Sequence, residues 1–173
     1  MDIQILSGES LRLKIKKTIL IIDPNLSIPK SEADAIVTFD KNSEISKVAN
    51  CRLLINGAGE YEVGGLKIAS FKIGNGLMFS FGIENLEAAL IKASFLSEAS
   101  LDKIKNYDVV LINADLEINQ SALTAMEPRV IVLYGKNASQ AAKELGKASL
   151  TPSSKVSFSE EKLPEETEIY LLS

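Results

Sequence analysis

Residues 108–134 read DVVLINADLEINQSALTAMEPRVIVLY, and this stretch decides the fold class. Asp108-Val109-Val110-Leu111-Ile112 and Val130-Ile131-Val132-Leu133-Tyr134 are short runs that are apolar on both faces, the pattern of strands buried inside a sheet. Between them, Asn119 through Met126 predicts a helix. Glu127-Pro128 ends it, because the residue before a proline is pushed out of the helical region. A further helix is opened by Asn137 as its cap, runs through Leu145 and is stopped by Gly146. Strands and helices alternating at this spacing imply a parallel or mixed sheet covered by helices. Upstream, Ser100 predicts the cap of a helix through Leu101 and Ile104. Downstream, Pro164-Glu165-Glu166 turns into a last strand, Thr167 to Leu172.

The N-terminal half reads mostly as strands. Leu11, Leu13 and Ile15 alternate with Arg12, Lys14 and Lys16, the period of two of a sheet with one face buried and one solvated. Thr18-Ile19-Leu20-Ile21-Ile22 is apolar on both faces and stops at Asp23-Pro24-Asn25. Ala35-Ile36-Val37-Thr38-Phe39 and Cys51-Arg52-Leu53-Leu54-Ile55 are further short strands. The segment Gly57–Gly65 lacks the Lys-Ser/Thr pair and the Gly-x-Gly-x-x-Gly spacing of a phosphate-cradling loop. It reads as a turn, a strand Glu60 to Val63 and a hairpin at Gly64-Gly65 into Leu66-Lys67-Ile68. Gly74-Asn75-Gly76 marks a second hairpin before Leu77-Met78-Phe79-Ser80-Phe81. Residues 86–93 fit either period, since Leu86, Ala89, Leu90 and Ala93 have helical spacing while Leu86, Ala88 and Leu90 alternate.

Composition narrows the chemistry. The chain has 173 residues, 46% hydrophobic and 24% charged, a size and balance that imply one globular domain over residues 1–173. A net charge of −4 and a single cysteine, Cys51, argue against a nucleic-acid partner and exclude a disulfide framework. There is no histidine. An imidazole base, a Ser-His or Cys-His nucleophile pair and a His-ligated zinc are therefore all excluded. The first residues lack the basic and apolar regions of a signal peptide, and no apolar run approaches membrane-spanning length, so a cytoplasmic location is expected. With no imidazole to lower its pKa, Cys51 reads as a small apolar residue, and Tyr61 and Tyr134 read as packing residues with the hydroxyl at an edge.

Six segments carry a resemblance, in this order: Leu6-Ser7-Gly8-Glu9-Ser10-Leu11-Arg12-Leu13, Ile22-Asp23-Pro24, Asp34-Ala35-Ile36-Val37-Thr38, Gly57-Ala58-Gly59-Glu60-Tyr61-Glu62-Val63, Glu127-Pro128-Arg129-Val130-Ile131-Val132 and Leu163-Pro164-Glu165-Glu166-Thr167-Glu168. Together they resemble the small prokaryotic Zn-dependent hydrolase-like proteins of the metallo-β-lactamase fold. The resemblance implies an αββα sandwich, two mixed β-sheets face to face with helices on the outer faces, and makes residues 86–91 a strand. It also places the family's metal loop, Thr-His-x-His-x-Asp-His, on Thr38-Phe39-Asp40-Lys41-Asn42-Ser43-Glu44. The ligand positions then hold Phe39, Lys41, Ser43 and Glu44. The remaining ones fall on Gly8, on Leu90 and Ala93, and on Gly135. Phe39 and Gly135 donate nothing to a metal, and the ammonium of Lys41 repels one.

What the resemblance implies is thus a degenerate member: a catalytically inactive pseudo-hydrolase without cofactor or zinc, acting as a binding or scaffold protein through an unknown protein partner or self-association. Phe39 and Phe71 either form an apolar patch near the old site mouth or pack in the core. A second reading is an enzyme that uses carboxylates in the old cleft, drawn from Asp23, Asp40, Glu44, Asp115 and Glu117. Lys41 and Lys92 would instead suit an anion. A third is weak nucleic-acid binding through Arg12, Lys14, Lys16 and Lys17, a strip that a solvated sheet face also explains.

Overall fold

The computed structural model describes residues 1–41, 43–83, 85–96, 106–147 and 149–173. The expected helix at Ser100, Leu101 and Ile104 lies outside the described residues.

The N-terminal half builds a six-stranded sheet. β1 (Asp2–Ser7), β2 (Ser10–Ile15) and β3 (Thr18–Ile22) form an antiparallel meander, and β5 (Ala35–Val37) and β7 (Leu53–Ile55) add in parallel beside β3. A late strand, β14 (Lys155–Ser157), returns to pair with β1 at the far edge. Two short strands, β4 (Ser31–Glu32) and β6 (Val48–Ala49), pair with each other outside this sheet.

The second sheet has seven strands. β8 (Gly59–Val63), β9 (Leu66–Ile73), β10 (Gly76–Ile83) and β11 (Leu86–Lys92) run antiparallel, and β12 (Val109–Asn113), β13 (Val130–Tyr134) and β15 (Glu168–Leu171) continue from β11 in parallel. Both sheets are mixed. The turn between β8 and β9 needs its glycines: Gly64 and Gly65 sit at φ 58° and 80°, and a side chain on Gly64 would run into the Thr18 hydroxyl.

Alternation sorts the side chains into layers. Leu11, Leu13 and Ile15 of β2 and Leu20 and Ile22 of β3 meet Phe79 and Phe81 of β10, Leu90 of β11, Leu111 of β12 and Val132 and Tyr134 of β13 in one core between the sheets. Each such fully buried side chain contributes about 1.5–3 kcal/mol. The other face of the seven-stranded sheet presents Ala89, Ile91, Val110, Ile112, Ile131 and Leu133 to three helices, α1 (Ala93–Leu96), α2 (Gln120–Ala125) and α3 (Ala138–Glu144). β11 is apolar on both faces because one faces the sandwich core and the other the helices, which is why its sequence fits either period. On the opposite outer surface, Ile21 of the six-stranded sheet is covered by Ile28 and Ala33 of the 24–33 segment. Among the described residues no helix is long and apolar enough to cross a membrane.

The helix ends follow their sequences, with one correction. Asn119 Oδ1 accepts the Ala122 N–H at 3.0 Å as the cap of α2, and Glu127, at φ 49°, ends it before Pro128. Asn137 occupies the start of α3 but does not cap it. Its Nδ2 donates instead to the Asp115 carbonyl at 2.7 Å, tying the β13–α3 turn to the β12–α2 loop. Arg129 donates from Nε to the Pro164 carbonyl (2.8 Å) and from Nη2 to the Leu163 carbonyl (3.0 Å), so two of the six resemblance segments are held together directly.

Candidate functional site

The parallel strands of both sheets end at one edge. β3 ends at Ile22 and leads into Asp23, β5 ends at Val37 and leads into Thr38-Phe39, β11 ends at Lys92, β12 at Asn113, and β13 at Tyr134 before Gly135. Crevices outside the carboxyl ends of parallel strands are where folds of this kind place ligands, because successive loops diverge there. The edge is polar inside a largely apolar sandwich.

Asp23 is its centre. Its backbone sits in the left-handed region, at φ 42°, and its Oδ1 accepts the Phe39 N–H at 2.9 Å, fixing the loop after β5. Burial pushes its carboxyl up from 3.8 to about 6, opposed by the Phe39 hydrogen bond and the Lys92 charge and assisted by Asp40 and Glu9. Lys92 Nζ pairs with Asp40 Oδ2 at 3.4 Å and lies 5.3 Å from the centre of the Phe39 ring, its side chain only 15% exposed. Asn113, fully buried, donates from Nδ2 to Glu9 Oε2 at 3.1 Å. Among the described residues its Oδ1 has no hydrogen-bond partner, nor has the fully buried hydroxyl of Tyr134. Burial, with the Asp23, Glu9 and Asp115 charges, pushes that phenol well above its ordinary value. The expectation of a Tyr134 hydroxyl at an edge is corrected: Tyr134 packs as expected, but its hydroxyl is buried with the ring. Tyr61, by contrast, is half-buried and donates to the Gly57 carbonyl at 3.0 Å.

The side chains at the positions matched to the family's ligands lie in different surroundings. Gly8 is exposed in the β1–β2 turn, and Glu9 beside it is the residue that reaches inward. Phe39 is 8% exposed and packs edge-on against Phe79 (5.3 Å) and Phe95 (6.2 Å), so it belongs to the core. Phe71, 43% exposed on β9, is not buried with it. Lys41 is exposed. Ser43 donates to the Asp40 carbonyl, and exposed Glu44 accepts the Ser46 N–H at 2.8 Å, which holds its carboxyl below the usual range. Leu90 lies in the inter-sheet core and Ala93 in the helix-side core. Gly135, at φ 93°, brings its backbone against Asn113, and a Cβ there would collide with Asn113 Oδ1.

The five candidate acids also separate. Asp23 and Asp40 share the Lys92 charge. Asp115 accepts the Ser94 N–H (3.0 Å) and hydroxyl (2.6 Å) at the start of α1, and Glu117 is exposed. The basic strip, Arg12, Lys14, Lys16 and Lys17, lies on β2 and its following turn, where the lysines are exposed. Cys51 is half-buried and donates to the Leu53 carbonyl. Glu9 and Asn113 escaped the sequence reading. Asn113 did leave a signal, as the polar last residue of a strand otherwise apolar on both faces.

No protein-family model matches the chain, and no curated protein matches it by sequence. Its architecture does find solved structures. A metallo-β-lactamase superfamily protein from Thermotoga maritima superposes with a TM-score of 0.76 at 18% identity, over 99% of this chain and 98% of that one. The fold is that of the metallo-β-lactamases. The metallo-β-lactamase fold protein YhfI from Bacillus subtilis matches with a TM-score of 0.61 at 6% identity (98% and 95% of the two chains). An isothiocyanate hydrolase from Delia radicum gut bacteria matches at 0.61 and 12% identity (92% and 100%).

A zinc centre of the kind this fold implies needs several neutral nitrogen or anionic donors converging on one point. The edge offers three carboxylates, an amide and a phenol around an ammonium, with no imidazole or thiolate. Among the described residues no three His, Cys, Asp or Glu side chains are grouped to hold a metal. The donor set does not fit zinc.

Proposed function

We propose that the chain is a non-hydrolytic member of the metallo-β-lactamase fold and acts as a binding or scaffold protein through the strand-end edge. The observation that carries this reading is Lys92. Its ammonium, paired with Asp40, laid against the Phe39 ring and facing Asp23, supplies a built-in positive charge at the edge where the resemblance puts metal ions. A fixed ammonium and a divalent cation repel each other at such range. Gly135 and Asn113 are packed too closely for a larger ligating side chain at the former position. The partner in this reading is another protein or a second copy of the chain, with no role for nucleic acid or membrane and no zinc.

The test is metal content by mass spectrometry of untagged protein, after incubation with Zn²⁺, Mn²⁺ and Mg²⁺ and removal of free ion. Retention far below one ion per chain is expected. About one or two tightly held ions per chain would overturn the reading.

One observation favours a second reading. A largely buried carboxyl pushed up to about 6 is poised to give and take protons near neutral pH, so Asp23 suits metal-free general acid–base chemistry. A hydrolytic activity with a pH inflection near that value, lost in Asp23→Asn, would establish it.

A further inference from the structure

Next to the strand-end edge a groove of about 360 Å³ opens between three turns: residues 39–41 after β5, 56–58 after β7, and 74–76 between β9 and β10. Lys41, Lys72 and Asn56 are among the residues that line it, with Phe39 and Leu77. No carboxylate lines it among the described residues. The acid nearest to Lys41 in sequence, Asp40, has its carboxylate directed to Lys92 instead. Among the described residues neither exposed ammonium has a carboxylate partner, on a chain whose net charge is −4.

We propose that this groove binds a small phosphomonoester. Two lysines and the Asn56 amide can meet a compact dianion with point charges and a hydrogen-bond donor, which suits a tetrahedral phosphate. A planar carboxylate is matched better by the bidentate fork of an arginine, and no arginine lines the groove. Its volume lies at the small end of ligand sites and exceeds what inorganic phosphate fills, leaving space for a modest organic body along Phe39 and Leu77. This deepens the reading of the edge as a binding surface and rests on it.

The experiment is an amide-resolved NMR titration of the full chain at low ionic strength with phenyl phosphate, inorganic phosphate and benzoate, and with chloride matched for ionic strength. Phenyl phosphate is expected to give saturable shifts confined to residues 39–41, 56–58 and 72–77, with inorganic phosphate weaker at the same amides. Lys41→Gln and Lys72→Gln should each weaken phenyl phosphate about tenfold, whereas Lys14→Gln, the same charge change on exposed β2, should alter it less than about twofold. The lysines are exposed, so the variants should fold, which circular dichroism checks. Absence of saturation at about 10 mM, equal binding of benzoate, equal shifts with chloride, or indifference to Lys41→Gln and Lys72→Gln would each overturn the proposal. Release of phenol during the titration would leave the binding proposal standing and sink the non-hydrolytic reading, so the two fail separately.

Discussion

Replacing Asp23 by asparagine removes a carboxylate that the fold holds largely out of water, while leaving an oxygen to accept the Phe39 N–H. The carboxyl is at about 6 in the folded chain against an ordinary 3.8, so between those values the folded state holds a proton that the unfolded state has released. The stability associated with that proton is fully present below about pH 4 and is lost as the pH rises through 6. At about 1.4 kcal/mol per tenfold, the loss reaches about 3 kcal/mol on the neutral plateau. Asp23→Asn has no such titration. Urea unfolding of both proteins should therefore show the variant gaining on the parent by about 3 kcal/mol between pH 3 and pH 8, with the change concentrated below pH 6.5. A stability difference that does not vary with pH, of either sign, would refute the assignment of Asp23 as a desolvated carboxyl.

Other consequences follow from the same edge and its supports. Lys92→Met keeps the apolar stem and deletes the positive charge that faces Asp23, so the Asp23 carboxyl should titrate above its parental value in carbon-detected NMR; an unchanged value would mean the two groups do not interact. Gly135→Ala places a Cβ against Asn113 at φ 93° and should lower stability by about 1–3 kcal/mol, whereas Gly57→Ala, which meets open space, should change it by less than about 0.5 kcal/mol. Asn119→Ala removes the α2 cap and should cost about 1 kcal/mol in the same urea assay, while Asn137→Ala would act through the lost bond to the Asp115 carbonyl.

The chain's local patterns determined its layers. Runs apolar on both faces, as at 109–113 and 130–134, have nowhere to lie except between a core and covering helices, and Leu11, Leu13 and Ile15 assign one face of β2 to that core. Gly64-Gly65, Pro128 and Asn119 set turns and helix ends through backbone sterics and a single hydrogen bond, all within a few residues. The absence of histidine restricted the chemistry without any structure. Periodicity could not show which polar residues meet. Asn119 and Asn137 look alike as helix openers, yet one caps and the other reaches across to Asp115. Five acids were equal candidates, and only Asp23 and Asp40 came to the Lys92 charge, joined by an unforeseen Glu9 whose partner Asn113 is 104 positions away. Helix and strand period is a property of neighbours in the chain, whereas a site forms where distant strand ends converge. That convergence, and the burial that lifts the Asp23 carboxyl to about 6, exist only once the two sheets have packed.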